Sequence, residues 1–171
     1  MKLLFISVLF LSSLFASLDS IHSFEADFTQ SVTDDKNKTL TYNGRILASK
    51  PQNAIWSYTH PIQKDVYIHA NTLTIIEPEI EQVIIKTIES KLDFFKMIKD
   101  AKKIDENSYI AIFQDSKYTI TTKDKLIQSI SYKDEFENQV KIEFKEQKQN
   151  QGINKKLFTP NIPIDFDIIR E

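Results

Sequence analysis

The chain reads as a mainly β protein: a barrel or strongly curled antiparallel sheet of roughly ten strands, with helices beside it. Three observations predict this. From Phe24 onward, apolar and polar residues alternate with a period of two over most of the chain, the mark of strands with one apolar face. The runs are short, closely spaced and rich in Ile, Thr, Tyr and Phe. Connections such as Asp115-Ser116, Thr122 to Lys125 and Asp134 to Asn138 are too brief for parallel crossovers, so consecutive strands pair antiparallel.

Residues 1–16 are set apart from these strands. Lys2 supplies a positive start, Leu3 to Leu11 are almost wholly apolar, and Ser12 to Ala16 turn smaller and more polar, the order of a secretory signal peptide cleaved after Ala16. Its apolar run is too short to span a bilayer of roughly 30 Å as a helix. Residues 17–171 then form a single domain. Without Lys2 the chain carries 21 basic and 24 acidic residues, a formal charge of −3 with no basic block. Nucleic acid is therefore not expected as a ligand, since phosphate neutralisation needs clustered Lys and Arg.

In the domain, Phe24, Ala26 and Phe28 alternate with Glu25, Asp27 and Thr29, and Tyr42, Gly44, Ile46 and Ala48 continue the pattern beyond a polar turn. Ala54, Trp56 and Tyr58 follow the break at Lys50-Pro51, and Pro61 marks the next turn. Further strands are predicted at Val66 to His69, Thr72 to Glu77, Gln82 to Thr87, Tyr109 to Phe113, Lys117 to Thr122, Leu126 to Tyr132 and Gln139 to Glu146. One segment breaks the period. Ser90 caps a helix in which Leu92, Phe95, Ile98 and Ala101 share one side, with Phe94 and Met97 widening the stripe. Lys99, Lys102 and Lys103 suit its negative C-terminal end. A shorter helix is predicted from Leu18 to about Ser23, and two helices beside a curled sheet are placed to cover one mouth.

Enzyme chemistry is scarce. With Gly44 and Gly152 as the only glycines, the chain has no Gly-rich phosphate loop, dinucleotide fingerprint or nucleophile elbow. His22, His60 and His69 lack metal spacing, and there is no cysteine to add a ligand or a disulfide. The carboxylates at Asp34-Asp35 and at Glu77, Glu79 and Glu81 read as solvated turns. No metal, cofactor or catalytic residue is expected. What stands out is twelve Phe and six Tyr, many alternating along strands, a content that by itself also suits a plain sandwich core.

FEADFTQSV from Phe24 to Val32, then Gly44, then KPQNAIWSYTHP from Lys50 to Pro61, resemble the opening of the LolA family. NTLTIIEPEIEQ from Asn71 to Gln82 resembles that family's paired strands around a proline turn, and KLFTPNIPIDF from Lys156 to Phe166 its C-terminal segment. The resemblance implies an incomplete antiparallel β-barrel with a helical lid, and a periplasmic chaperone for lipoproteins. It implies three partners: acylated lipoproteins, the inner-membrane ABC transporter that releases them, and an outer-membrane receptor, with the chain itself a monomer. The lack of a lipobox cysteine favours the carrier over the similarly folded receptor. Phe24, Phe28, Trp56, Phe94, Phe95 and Ile98 are the implied lipid-binding residues, the last three on a lid helix from Lys91 to Lys102. Lys50 stands where the family usually has an arginine that closes the lid; lysine keeps the charge but loses the planar fork of donors. Ala54 stands where an aromatic residue is common near the transporter contact. Two other readings stay open: a periplasmic carrier of another amphiphile such as a glycolipid, and a non-catalytic β-domain with a structural or adhesive role.

Overall fold

The computed structural model describes residues 18–88, 94–113 and 115–171. The proposed signal segment and Ser90, the expected helix cap, lie outside the described residues. After a single 3-10 turn at Leu18–Ser20, the chain runs as a meander from β1 (Ser23–Thr33) through β2 (Thr39–Ser49), β3 (Asn53–His60), β4 (Lys64–His69) and β5 (Thr72–Glu77) to β6 (Gln82–Thr87). It then passes through helix α1 (Phe94–Lys99) to β7 (Lys102–Lys103), and meanders back through β8 (Ser108–Phe113), β9 (Ser116–Lys123) and β10 (Leu126–Lys133) to β11 (Gln139–Gln149). Strand β12 (Asp167–Arg170) closes the chain.

All twelve strands belong to one sheet, ordered β12-β6-β5-β4-β3-β2-β1-β11-β10-β9-β8-β7. Strand β1 is therefore the hinge between two halves, paired with β2 on one side and β11 on the other. The sheet keeps two free edges, β12 and β7, so the curl is open as expected. The segment holding α1 links β6 to β7, so it must cross from one half of the sheet to the other.

Local chemistry explains much of this. The β1–β2 and β10–β11 hairpins close alike: Asp34 Oδ1 accepts from the backbone N–H of Lys36 and Lys38 at 2.9 and 2.8 Å, and Asp134 Oδ1 from Phe136 and Asn138, both at 2.9 Å. An aspartate in the first turn position supplies the acceptor that the tightening backbone requires. The Asn138 side chain also donates to Asp134, which holds that carboxyl below its ordinary pKa. Irregular register in β1–β11 between Glu25 and Asp27, in β2–β3 at Asn43/Gly44 and in β9–β10 bends the strands, as bulges do. Gly44 lies directly opposite Phe28. A Cβ there would meet the Ser57 carbonyl oxygen and stand 2.7 Å from the Phe28 ring, so the missing side chain is what lets the ring lie flat across β2.

The main core lies on the inner face: Phe24, Ala26 and Phe28 of β1, Ile46 and Ala48 of β2, Ile142 and Phe144 of β11, and Ile98 and Phe95 of α1 all belong to it. A second buried group lies on the other side of the sheet. Register pairs Ile76 with Asp65 and Val83 with Ile76, one residue out of phase with the inward Val66 and Ile68, yet Ile76 and Val83 are buried. In the same half of the sheet the 3-10 turn Lys155–Phe158 of the C-terminal segment packs on β3 and β4 and buries Phe158.

Four expectations are corrected. The sheet has twelve strands, because Lys102–Lys103 and Asp167–Arg170 each add one. Strand β12 runs parallel to β6, which a long C-terminal return makes possible and a hairpin would not. Among the described residues α1 is six residues long; Lys102 and Lys103 leave it to pair with Ile110 and Tyr109, since an open sheet edge offers them backbone partners. The N-terminal helix is one 3-10 turn that ends at Ser20, because Ser23 onward is already drawn into β1.

Candidate functional site

Inside the curl lies a cavity of about 270 Å³. Its wall combines Trp56, Tyr58, Val66 and Ile68 from β3 and β4 with Gln30 and Ile142 from the central strands. The opposite half contributes Phe113, Tyr118, Ile130 and Tyr132, and α1 contributes Phe94 and Met97. The lining is therefore overwhelmingly aromatic and aliphatic, with no carboxylate, histidine or lysine among the described residues. Among the described residues no group of His, Asp or Glu is placed to hold a metal ion, and no helix is long and apolar enough to cross a membrane.

Of the six residues expected to meet lipid, four lie at the cavity, in two layers. Trp56 and Phe94 border the open space. Phe24 and Phe28 form the layer beneath: the Phe24 ring lies 5.4 Å from that of Phe94 and 5.1 Å from that of Phe144, and Phe28 meets Trp56 and Tyr58 edge-on, each at 5.1 Å. Such tilted and edge contacts are the arrangement aromatic quadrupoles favour. Phe95 and Ile98 are buried but do not border the space. Residues 94 and 97, three apart, share the helix face turned to the cavity, and the stripe one residue further on packs elsewhere. Phe95 instead borders an outer depression with Asp19, Lys50, Pro51, Lys96, Lys99 and Asp100.

Lys50 lies between the N-terminal turn and α1. Its Nζ donates to the Asp19 carbonyl oxygen at 3.1 Å and lies 5.9 Å from the centre of the Phe95 ring. One ammonium thus ties the end of β2 to the N-terminal turn and to α1. The single bond and single ring contact are what a point charge can offer in place of a guanidinium fork.

Several wall residues were not singled out from the sequence. Tyr58 follows Trp56 by two and so shares its face, and Met97 follows Phe94 by three; both signals were available. Tyr118 and Tyr132, whose rings lie 4.8 Å apart, had no such local signal. Burial pushes the phenols of Tyr58 and Tyr132 up to about 12, chiefly by desolvation, so both remain neutral hydrogen-bond donors across the ordinary pH range.

Residues 19–115 match the family described as outer membrane lipoprotein carrier protein LolA. The outer-membrane lipoprotein carrier protein of Campylobacter jejuni is 40% identical over 169 residues, 99% of both chains. The chain belongs to the LolA family. A second LolA-family relative, the carrier protein of Wolinella succinogenes, is 29% identical over the full length of both chains. Among solved structures, an uncharacterized conserved protein from Thermus thermophilus shares the LolA-family chain's fold with a TM-score of 0.59 at 11% identity, over 90% of this chain and 93% of that one.

Proposed function

We propose that the protein is a periplasmic carrier that takes up acylated lipoproteins released from the inner membrane by an ABC transporter and delivers them to an outer-membrane receptor. It acts as a monomer without cofactor or catalytic chemistry. Residues 1–16 are its signal peptide and 17–171 its carrier domain. One observation carries the reading: an apolar cavity inside an open sheet, with a short helix lying against its wall.

The magnitudes explain why the helix matters. Burying a methylene is worth about 0.8 kcal/mol, so several acyl chains would gain tens of kcal/mol in an empty apolar container. Affinities saturate near −18 to −21 kcal/mol, and a carrier that bound that tightly would never discharge. The cavity of about 270 Å³ falls below the roughly 300–1,000 Å³ of ordinary ligand sites, so loading requires α1 to move. When it moves, Phe94 gives up its contact with Phe24, and cargo restores apolar cover to the same surface. Net affinity is then the difference between two burials of similar size. Trp56, Phe94, Phe24 and Phe28 contact lipid in turn as the lid opens, Phe95 and Ile98 seat the helix when it is shut, and Lys50 latches it.

The test is to mix the mature protein with vesicles holding the energised transporter and its lipoprotein substrates. Lipoprotein is expected to appear in the soluble fraction in complex with the protein, and Phe94→Asn is expected to release bound cargo at least about tenfold faster, the effect of roughly 1.4 kcal/mol. Absence of soluble complex with the native protein would refute the carrier role, and extraction of a glycolipid in place of lipoprotein would reassign the cargo.

A further inference from the structure

The wall of the cavity is graded along its length. Besides the indole N–H of Trp56, four of its side chains carry hydrogen-bonding groups: Gln30 of β1, Tyr58 of β3, Tyr118 of β9 and Tyr132 of β10. All four lie toward one end of the sheet, where β1 turns at Asp34, β3 at Pro61 and β10 at Asp134. The hydrocarbon end, with Phe24 and the lid, is the other. Since the four come from both sides of β1, no hairpin builds the cluster; the curl of the sheet does.

Within the cluster Tyr58 donates to Gln30 Oε1 at 3.0 Å, which leaves the Gln30 amide hydrogens for another acceptor. Tyr58 and Tyr132 line the same cavity from opposite halves of the sheet. Tyr118 and Tyr132 both line the cavity, and neither hydroxyl is among the described polar atoms buried without a partner, so each keeps access to the open space. When hydrocarbon fills the cavity such accessible donors lose water, and each then adds a desolvation cost unless the cargo brings an acceptor. At the same end Lys64 Nζ lies 5.0 Å over the Tyr58 ring, so this end suits oxygen acceptors.

We infer that Gln30, Tyr118 and Tyr132, oriented by Tyr58, form a seat for the ester carbonyls at the head of fatty acyl chains, and so fix the direction in which an amphiphile lies in the cavity. The inference rests on the carrier reading and deepens it. An acyl chain offers no acceptor along its length, whereas its ester end offers one carbonyl per chain. That end is shared by the diacylglyceryl group of a lipoprotein and by a free diacylglycerol; the seat reads the carbonyl in either.

Trp56 is the only tryptophan of the chain and borders the cavity, so its fluorescence reports binding directly. The full mature protein is titrated with a dipalmitoyl-glyceryl-cysteine peptide, with the same peptide carrying ether links in place of esters, and with free dipalmitoylglycerol. Tyr132→Phe and Tyr118→Phe remove one hydroxyl each and no packing surface. Each is expected to weaken both diesters about three- to tenfold, the range for one hydrogen bond, and to leave the diether unmoved. Equal losses for diester and diether, or a loss confined to one of the two diesters, would overturn the seat while leaving the carrier intact. If none of the three lipids changes the Trp56 signal in the native protein, the carrier reading itself fails.

Discussion

The two halves of the sheet are built differently. In the half from β2 to β6, strands such as TLTIIE and QVIIKT carry apolar residues on both faces: Leu73 and Ile75 turn inward, while Ile76 and Val83 are buried on the opposite face. In the half from β7 to β11, QVKIEFK alternates strictly: Val140, Ile142 and Phe144 are buried, and Lys141, Glu143 and Lys145 are in water. Ile112 on the outer side of β8 is 64% exposed. One half is thus a layered structure with a core on each side; the other is a single wall. Strands buried on both faces read as near-continuous apolar runs, and strands buried on one face alternate. The covered half concentrates packing that does not touch the cavity, so stability and binding are partly separated in space. The open half has only its sheet bonds and its inner packing, the composition of a region that yields first.

Phe158→Ala tests this separation most severely. It removes a 2% exposed ring from the outer core, and a loss of about 3–5 kcal/mol in denaturant unfolding is expected. Lipid affinity read from Trp56 should stay within about twofold of the native value; a parallel collapse of affinity would show that the two faces are not independent. The next effect compares the halves from within. Tyr58 of the covered half and Tyr132 of the open half are both pushed up to about 12 by burial, while in the unfolded chain a tyrosine titrates near 10. The unfolded state therefore loses its protons first. Stability is intact below about pH 10 and is lost as pH rises through 12, by up to roughly 2–3 kcal/mol per tyrosine. Unfolding at pH 9 and pH 11.5 checks this, as rough settings either side of the tyrosine range, with Tyr58→Phe and Tyr132→Phe each expected to blunt the loss equally. Unequal blunting would mean that the halves differ on the inner face as well.

Smaller effects concern the attachment of the lid. Lys50 directly follows β2 and reaches α1, so the latch belongs to the covered half. Lys50→Leu removes one hydrogen bond and one exposed cation–π contact, about 0.5–1 kcal/mol. Uptake of an apolar fluorescent dye is expected to tighten by roughly two- to fivefold as opening becomes easier. An identical titration would remove Lys50 from the latch. Least of all, Ile112→Lys on the bare outer wall is expected to change stability by no more than about 0.5 kcal/mol. A larger loss in a melting experiment would mean that something covers this face.

Much of this was legible in the residues. The period of two marked the strands β1 to β6 and β8 to β11 and their hairpin order, and Trp56 and Phe94, expected from the family resemblance to meet lipid, border the cavity. The three-residue spacing of Phe94 and Met97 also held the orientation of α1, although Phe95 and Ile98 were expected at the wall. Their stripe is equally apolar, and a buried helix packs both of its flanks. Lys102 and Lys103 suited a helix end as well as an edge strand, and the nearby β8 decided between them.

By itself the sequence determined local properties: the ten longer strands, where Asp34 and Asp134 tighten turns, and which side chains share a face within one strand. Those follow from neighbours a few residues apart. Tertiary structure alone decided which of the two apolar faces of β5 and β6 looks inward, that β12 and β7 never meet, and that Gln30, Tyr58, Tyr118 and Tyr132 converge. Alternation orders faces only relative to one another, whereas register, bulges and curl sum over the whole sheet before distant strands are brought opposite each other.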